Sequence, residues 1–316
     1  MNLQDKKNFL ILNPMAAITI KCVPVRFIVA VLSVVLPWMA RAADKASCAD
    51  SVAVALCIER PVNSSFMFDI GGAQILDTYL TPIKYKGLNL RLGYERLQAM
   101  KFSPWRWVSQ IEAGVDYQKV KNPVGNHTMH SLMGEFQWGM MHRWHIGSVP
   151  GLQLMAGGET RFRGGVIYNA NNSNNPVSAK IHWSIGLQGM AVYNMRLGKL
   201  PVTLRYQAVL PLLGVFFSPE YGQSFYEIYL GDRNGIVHCG WWGNRFDMRN
   251  LLTVDLHFGR TSLRIGYRGQ IETSYVNNLN YHFFTHSAII GIGGEWLSMK
   301  PRAGETERAR IISALY

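Results

Sequence analysis

Residues 260–272 read RTSLRIGYRGQIE, and the stretch alternates. Leu263, Ile265, Tyr267 and Ile271 share one parity. Arg260, Arg264, Arg268, Gln270 and Glu272 share the other. A period of two is a β-strand with one apolar and one charged face. A water-soluble sheet would bury Leu263 and Ile265. A membrane barrel would turn them to lipid and point the arginines inward. The fold class depends on which face is inside.

The bulk composition bears on that choice. The chain has 316 residues, 48% of them hydrophobic and only 16% charged, below the usual quarter. Glycine occurs 30 times and aromatics make up 12%. Low charge, many glycines and aromatics, and no long apolar run beyond the start are ordinary for a β-protein with one face in lipid. The net charge of +12 comes partly from residues 1–42, and the remaining basic residues are spread along strands with no recognisable module, which argues against nucleic-acid binding.

The first residues point to a compartment. Lys21 and Arg26 precede a short apolar core at 27–40, followed by Ala40-Arg41-Ala42. A basic region, an apolar core and an A-x-A site form a secretory signal peptide. The core is too short to span a bilayer as a helix. The expected organisation is a signal peptide at 1–42, a periplasmic segment at 43–63, an outer-membrane barrel at 64–299 and a tail at 300–316. Cys48 and Cys57 are spaced to pair in an oxidising periplasm, with two free thiols as the alternative. Cys239 would then be left over.

Alternation recurs along the chain. Segments 65–72, 87–95, 105–118, 130–144, 152–163, 180–196, 202–210, 252–258, the opening stretch and 288–296 each set apolar residues against polar ones. They predict an all-β, closed antiparallel transmembrane barrel of about ten strands. Tight connections (147–151, 197–201, 259–262) alternate with longer polar ones (77–86, 121–126, 169–176, 214–249, 277–286). Short periplasmic turns and long outer loops are the outer-membrane arrangement. Trp105, Trp107, Trp144 and Trp296 fall near one set of strand ends. Tyr117, Phe162, Tyr168, Trp183 and Phe216 fall near the other, as two interfacial belts would. Residues 214–249 are rich in aromatics and read as a lid. A hairpin of 224–230 with 236–242 would instead raise the count to twelve strands.

With the apolar parity in lipid, the sheet must close, because every backbone polar group needs a partner there. The other parity lines the lumen. Its expected acids are Asp69, Glu95, Glu112, Asp116, Glu135, Glu159, Asp255, Glu272 and Glu295. Its expected bases are Arg91, Arg106, Arg143, Arg161, Arg163, Arg205, Arg264 and Arg268. Eight-stranded barrels fill with side chains and sixteen-stranded porins leave a channel. Ten strands with long charges of both signs predict a narrow or plugged lumen.

Two pieces of the C-terminal half carry a resemblance. Residues 214–235, GVFFSPEYGQSFYEIYLGDRNG, and 254–296, closing on IGIGGEW, are similar to a family of uncharacterised outer-membrane barrels common in Bacteroides-like bacteria. The likeness covers the last third of the chain, with FYEIY and IGIGGEW as its strongest parts. It implies a barrel and an outer-membrane location, and no activity or functional residue. One departure is plain. Such barrels end on an aromatic just after the last strand, whereas here Trp296 is followed by LSMKPRAGETERARIISALY.

Catalytic and metal chemistry finds little support. His142 and His145 are three apart on a strand and point to opposite faces. His127 with His130, and His282 with His286, read as loop or rim histidines, so no metal site is expected. His286 and Ser287 are adjacent on a strand and point apart, so they form no dyad. Ser224 near Glu227 and His238 carries no hydrolase signature. The glycine-rich GGETRFRGG at 157–165 lacks the strand–loop–helix context and the lysine of a phosphate loop. No cofactor is expected. The partners are outer-membrane lipid, lipopolysaccharide and the barrel-assembly machinery. The reading is a non-enzymatic outer-membrane barrel with a transport or envelope role. The alternatives are an outer-membrane enzyme acting on lipid or lipopolysaccharide, and a soluble periplasmic barrel binding an apolar ligand.

Overall fold

A computed structural model describes residues 58–172, 175–259, 261–296 and 310–315. The segment 1–42 expected to be a signal peptide, Cys48, Cys57 and Arg260 lie outside the described residues. Ten antiparallel strands close into a barrel: β2 (Val62–Asp77), β3 (Thr81–Ala99), β4 (Trp107–Lys121), β5 (Thr128–His145), β6 (Leu152–Asn169), β7 (Val177–Leu197), β8 (Leu200–Phe217), β10 (Arg245–Phe258), β11 (Thr261–Val276) and β12 (Leu279–Trp296). β12 pairs β2, and β10 pairs both β8 and β11, so the sheet has no free edge along most of its height. β1 (Ile58–Glu59) pairs in parallel with β13 (Arg310–Ile311). Between β8 and β10 lie one helical turn and a half, α1 (Phe225–Leu230), and a short strand, β9 (Val237–Trp241), which adds to β8. The twelve-strand alternative is thereby corrected, because FYEIY is helical.

The opening stretch settles the inside-out question. On β11, Ile265 and Tyr267 are exposed while Arg264, Arg268, Gln270 and Glu272 are buried. The same holds on every side: Phe66, Leu92, Leu132, Phe136, Phe162, Leu187 and Ile292 face outward, and arginines head the fully buried side chains. An apolar groove of about 1220 Å³ indents this outer wall between flanks such as Phe66, Leu92, Phe136 and Phe162, with Gly134 and Gly164 among its lining.

The lumen is not polar throughout. Its middle is charged, and both ends are apolar. At the end holding β1, inward residues Leu97, Val108, Met141, Met155, Met190 and Val192 pack on Ala314 and Leu315. The β1–β13 ladder leads the tail there, and residues 312–315 are buried. The tail is therefore partly a plug. At the far end, Ile75, Met129, Met133, Ile167 and Phe283 pack with Tyr79 and Leu80 of the 78–80 turn, and Phe225 of α1 rests on this cluster.

Two expectations about connections fail. The 77–86 and 277–286 loops are mostly strand: β2 and β3 are joined by 78–80, and β11 and β12 by Asn277–Asn278, both with positive φ as a tight hairpin turn needs. The strands, 14 to 21 residues long, outlast the roughly 9–11 that cross a bilayer. Beyond that depth the apolar alternation stops while the ladder continues, so polar strand reads as loop. The long excursion that remains is 218–236.

A third failure concerns parity. Phe216 was expected in an outer belt, yet it is buried inside under Arg245, 5.3 Å from the guanidinium carbon. The β7–β8 register skips Leu212: Ile185 pairs Leu213 while Gly186 pairs Pro211. One extra residue exchanges the faces of everything beyond it. Phe216→Ala should strip Arg245 of its ring and leave a cavity at this end of the lumen. The expected cost is about 3 kcal/mol, read as a lower temperature for loss of the compact, heat-modifiable band on a gel.

Candidate functional site

The middle of the lumen is one connected ion-pair network. Glu135 of β5 sits at its centre and accepts from four arginines. Its Oε1 takes Arg91 at 2.7 Å and Arg249 at 3.0 Å, and its Oε2 takes Arg161 at 2.5 Å and Arg163 at 3.2 Å. Asp116 bridges Arg91 (2.9 Å) and Arg163 (2.7 Å). Glu112 accepts from Arg268 at 2.6 Å, which also donates to Asp69 at 2.7 Å. These bonds join β3, β4, β5 and β6 to β10 and β11 across the lumen.

A second knot lies toward the tail. Arg205 of β8 donates twice to Glu95 of β3, at 2.9 and 2.8 Å, and Arg264 joins Glu95 (2.6 Å) to Asp255 (2.7 Å). Glutamines lie between the knots: Gln207 donates to Gln110 at 2.8 Å, Gln137 to Gln188 at 3.3 Å, and Arg249 to Gln137. Long side chains need room, and inward glycines supply it. A Cβ on Gly114 would lie 2.6 Å from the Arg91 guanidinium carbon.

Most of the acids and bases expected in the lumen are buried there, and three differ in role. Arg106 is exposed in the connection before β4, because the strand begins only at Trp107. Arg143 is buried but ties down the tail and a turn, donating to the carbonyls of Ser313 (2.7 Å) and Pro104 (3.1 Å). Glu295 is half-buried and accepts from the Ser313 hydroxyl rather than joining an arginine. Asp247, Arg249 and Arg245 lie within 214–249, whose aromatics read as a loop, although Asp247 and Arg249 share the parity of Asp255. His182 also belongs to the network. Of the rejected pairs, His286 points outward and accepts or donates at the Tyr267 hydroxyl, while Ser287 is buried and accepts from Asn89 at 2.8 Å. Cys239, expected to be left over, is disulfide-bonded.

His182, Asp247 and Glu272 lie together and buried, with ligand-type atoms within 4.8 Å of one another. Their carboxylates already hold guanidinium groups: Arg161 on Asp247 at 2.7 Å, and Arg245 on Glu272. A cation entering here would have to displace an arginine and face Arg163, 3.6 Å from Glu272.

The far end is closed by local structure. Ser224 caps α1 with a reciprocal capping box to Glu227, and Gly231 ends it in the left-handed region at φ 114°. The Tyr79 hydroxyl donates to the Gln223 carbonyl at 2.8 Å, and burial with nearby Asp77 pushes its phenol up to about 12.

The family model for proteins of unknown function called DUF3316 matches residues 27–303. The chain belongs to that family. No curated protein matches it. Among solved structures, it is similar to the outer membrane protease OmpT of Escherichia coli (TM-score 0.41, 7% identity, 78% of this chain and 99% of that one). It is also similar to the transport unit of the autotransporter AIDA-I from Escherichia coli (0.39, 9%, 83% and 97%). A third is the translocator domain of the autotransporter NalP from Neisseria meningitidis (0.33, 10%, 86% and 99%). At these values no residue roles carry across.

Two outcomes test the site. Glu135→Ala leaves four buried guanidinium groups short of a partner and should cost about 3–5 kcal/mol in urea unfolding of the detergent-solubilised protein, whereas exposed Arg106→Ala should stay within about 0.5 kcal/mol. Hydrogen bonds from Ser224 hold the Glu227 carboxyl below its usual range. Its contribution to α1 is therefore present above the ordinary carboxylate pKa and lost as pH falls through the lowered one. Amide exchange at 225–231 should quicken over that acid window and not between neutral and mildly basic pH.

Proposed function

We propose that the protein is an integral outer-membrane barrel whose lumen is closed, with an envelope or surface role rather than axial conduction of solutes. The carrying observation is the buried network around Glu135, whose arginines reach it from β3, β6 and β10 at 2.5–3.2 Å. A barrel with exposed Phe, Leu, Ile and Trp outside and arginine inside has its solvation matched to lipid around it. The signal peptide read at 1–42 supports export, and the end bearing the tail then faces the periplasm. Apolar packing above and below the network keeps water from its charges, where guanidinium–carboxylate pairs are hard to break singly.

The alternative soluble barrel is disfavoured by the same faces, since it would expose Phe66, Leu92 and Ile292 to water, each more than 60% accessible. The full-length protein should fractionate with outer membranes, show heat-modifiable migration, and give no stepwise current in planar bilayers. Steady single-channel steps would overturn the closed lumen. Recovery in the soluble fraction without detergent would overturn the membrane reading.

A further inference from the structure

The barrel wall has one break in its ladder among the described strands. β8 pairs β10 through Val202–Val209 and pairs β9 through Leu213–Phe217. Leu210, Pro211 and Leu212 have no strand partner on that side. Across from them, Arg245–Met248 of β10 pair only with β11, and 242–244 loop out between β9 and β10. Pro211 has no N–H to offer, and the Trp242 indole N–H donates to its carbonyl at 2.6 Å. That side-chain bond spans the gap where the rest of the wall has backbone bonds.

The gap connects two environments. Outside it, Trp183, Trp241 and Trp242 are exposed on the lipid-facing side. A crevice of about 20 Å³, room for one water, runs past Leu213 to Ser184, Arg245 and Asp247. Behind it lie buried polar atoms without a hydrogen-bond partner: Ser184 Oγ, Asp247 Oδ1 and His182 Nε2. All three residues are 5% accessible or less. His182 Nε2 stands 3.7 Å from Asp247 Oδ2, beyond hydrogen-bonding reach. Buried orphan polar atoms are rare and call for a partner.

We propose that this seam is a lateral portal for a single-chain amphiphile with an uncharged hydroxyl head. The head passes between β8 and β10 when the Trp242–Pro211 bond opens, and the apolar chain stays against Trp183 and Trp241 in the bilayer. The head chemistry follows from the orphans. Asp247 Oδ1 only accepts, while Ser184 Oγ and His182 Nε2 can each donate or accept. A hydroxyl donates and accepts, so it meets all three. A carboxylate or phosphate has no proton for Asp247, a quaternary ammonium has no N–H, and a primary ammonium would meet the Arg245 guanidinium that lines the crevice. The portal rests on the membrane reading, because its outer mouth must meet lipid, but not on whether the lumen conducts.

The test uses the full-length protein in lipid nanodiscs and a monoglyceride carrying a photoactivatable diazirine in its chain. Illumination and peptide mass spectrometry should place adducts on 210–215 and 241–245, suppressed by excess unlabelled monoglyceride. Ser184→Ala and His182→Phe should each lower that labelling about five-fold, the worth of one ordinary hydrogen bond. Trp242→Phe, which keeps the ring and removes the N–H, should raise it. Heat-modifiable migration of each variant confirms folding. Adducts spread evenly around the outward strands, or seam adducts that survive competition and both polar substitutions, would overturn the portal while leaving the membrane reading intact. Failure to enter nanodiscs would overturn both.

Discussion

The pairing of buried arginines with carboxylates across the lumen is the constraint on which the rest of the barrel depends. A guanidinium taken from water loses several kcal/mol of solvation unless carboxylates replace it. Here one carboxylate, Glu135, is shared by four guanidinium groups, while Asp116 also holds Arg91 and Arg163, Glu112 holds Arg91, and Asp247 holds Arg161. Opposite walls are thereby drawn together. Bonds of this length run between nearly opposite strands, and they explain the inward glycines. Gly114 lies where Arg91 must pass, so even a methyl group would collide with it.

The apolar ends complete the same logic. Ion pairs are strongest where water is excluded. Methionine and leucine side chains close the network on the tail side together with residues 312–315, and Tyr79, Leu80 and Phe225 close it on the other. Methionine fits irregular gaps, which suits a lumen whose filler comes from ten strands and two chain segments. The wall can afford a break only where something else satisfies the backbone. At the β8–β10 seam a proline and an indole do this, and the polar atoms left over lie directly behind them.

Much of this was legible in residues read in order. The inward set of Arg264, Arg268 and Glu272 and the outward set of Ile265 and Tyr267 follow from period two and a choice of side. Asp247 and Arg249 were equally visible in principle, because they continue the parity of Asp255, but the aromatics before them drew the whole segment into a loop. Phe216 was misplaced for a different reason: a bulge at Leu212 leaves no mark in composition and reverses every face after it. Arg106 was misplaced because alternation runs on through 105–106, where the chain has already left the ladder.

The sequence by itself determined the class of fold and its inside-out sense. Both are set by neighbours along one strand, where alternate side chains must enter opposite solvents. Only the tertiary structure decided who pairs with whom inside, that Arg143 and Glu295 serve the tail, and that residues 312–315 return to fill the lumen. Those contacts include Asp69 with Arg268, 199 residues apart. They depend on strand stagger and on how the sheet closes, and neither is written in any single strand.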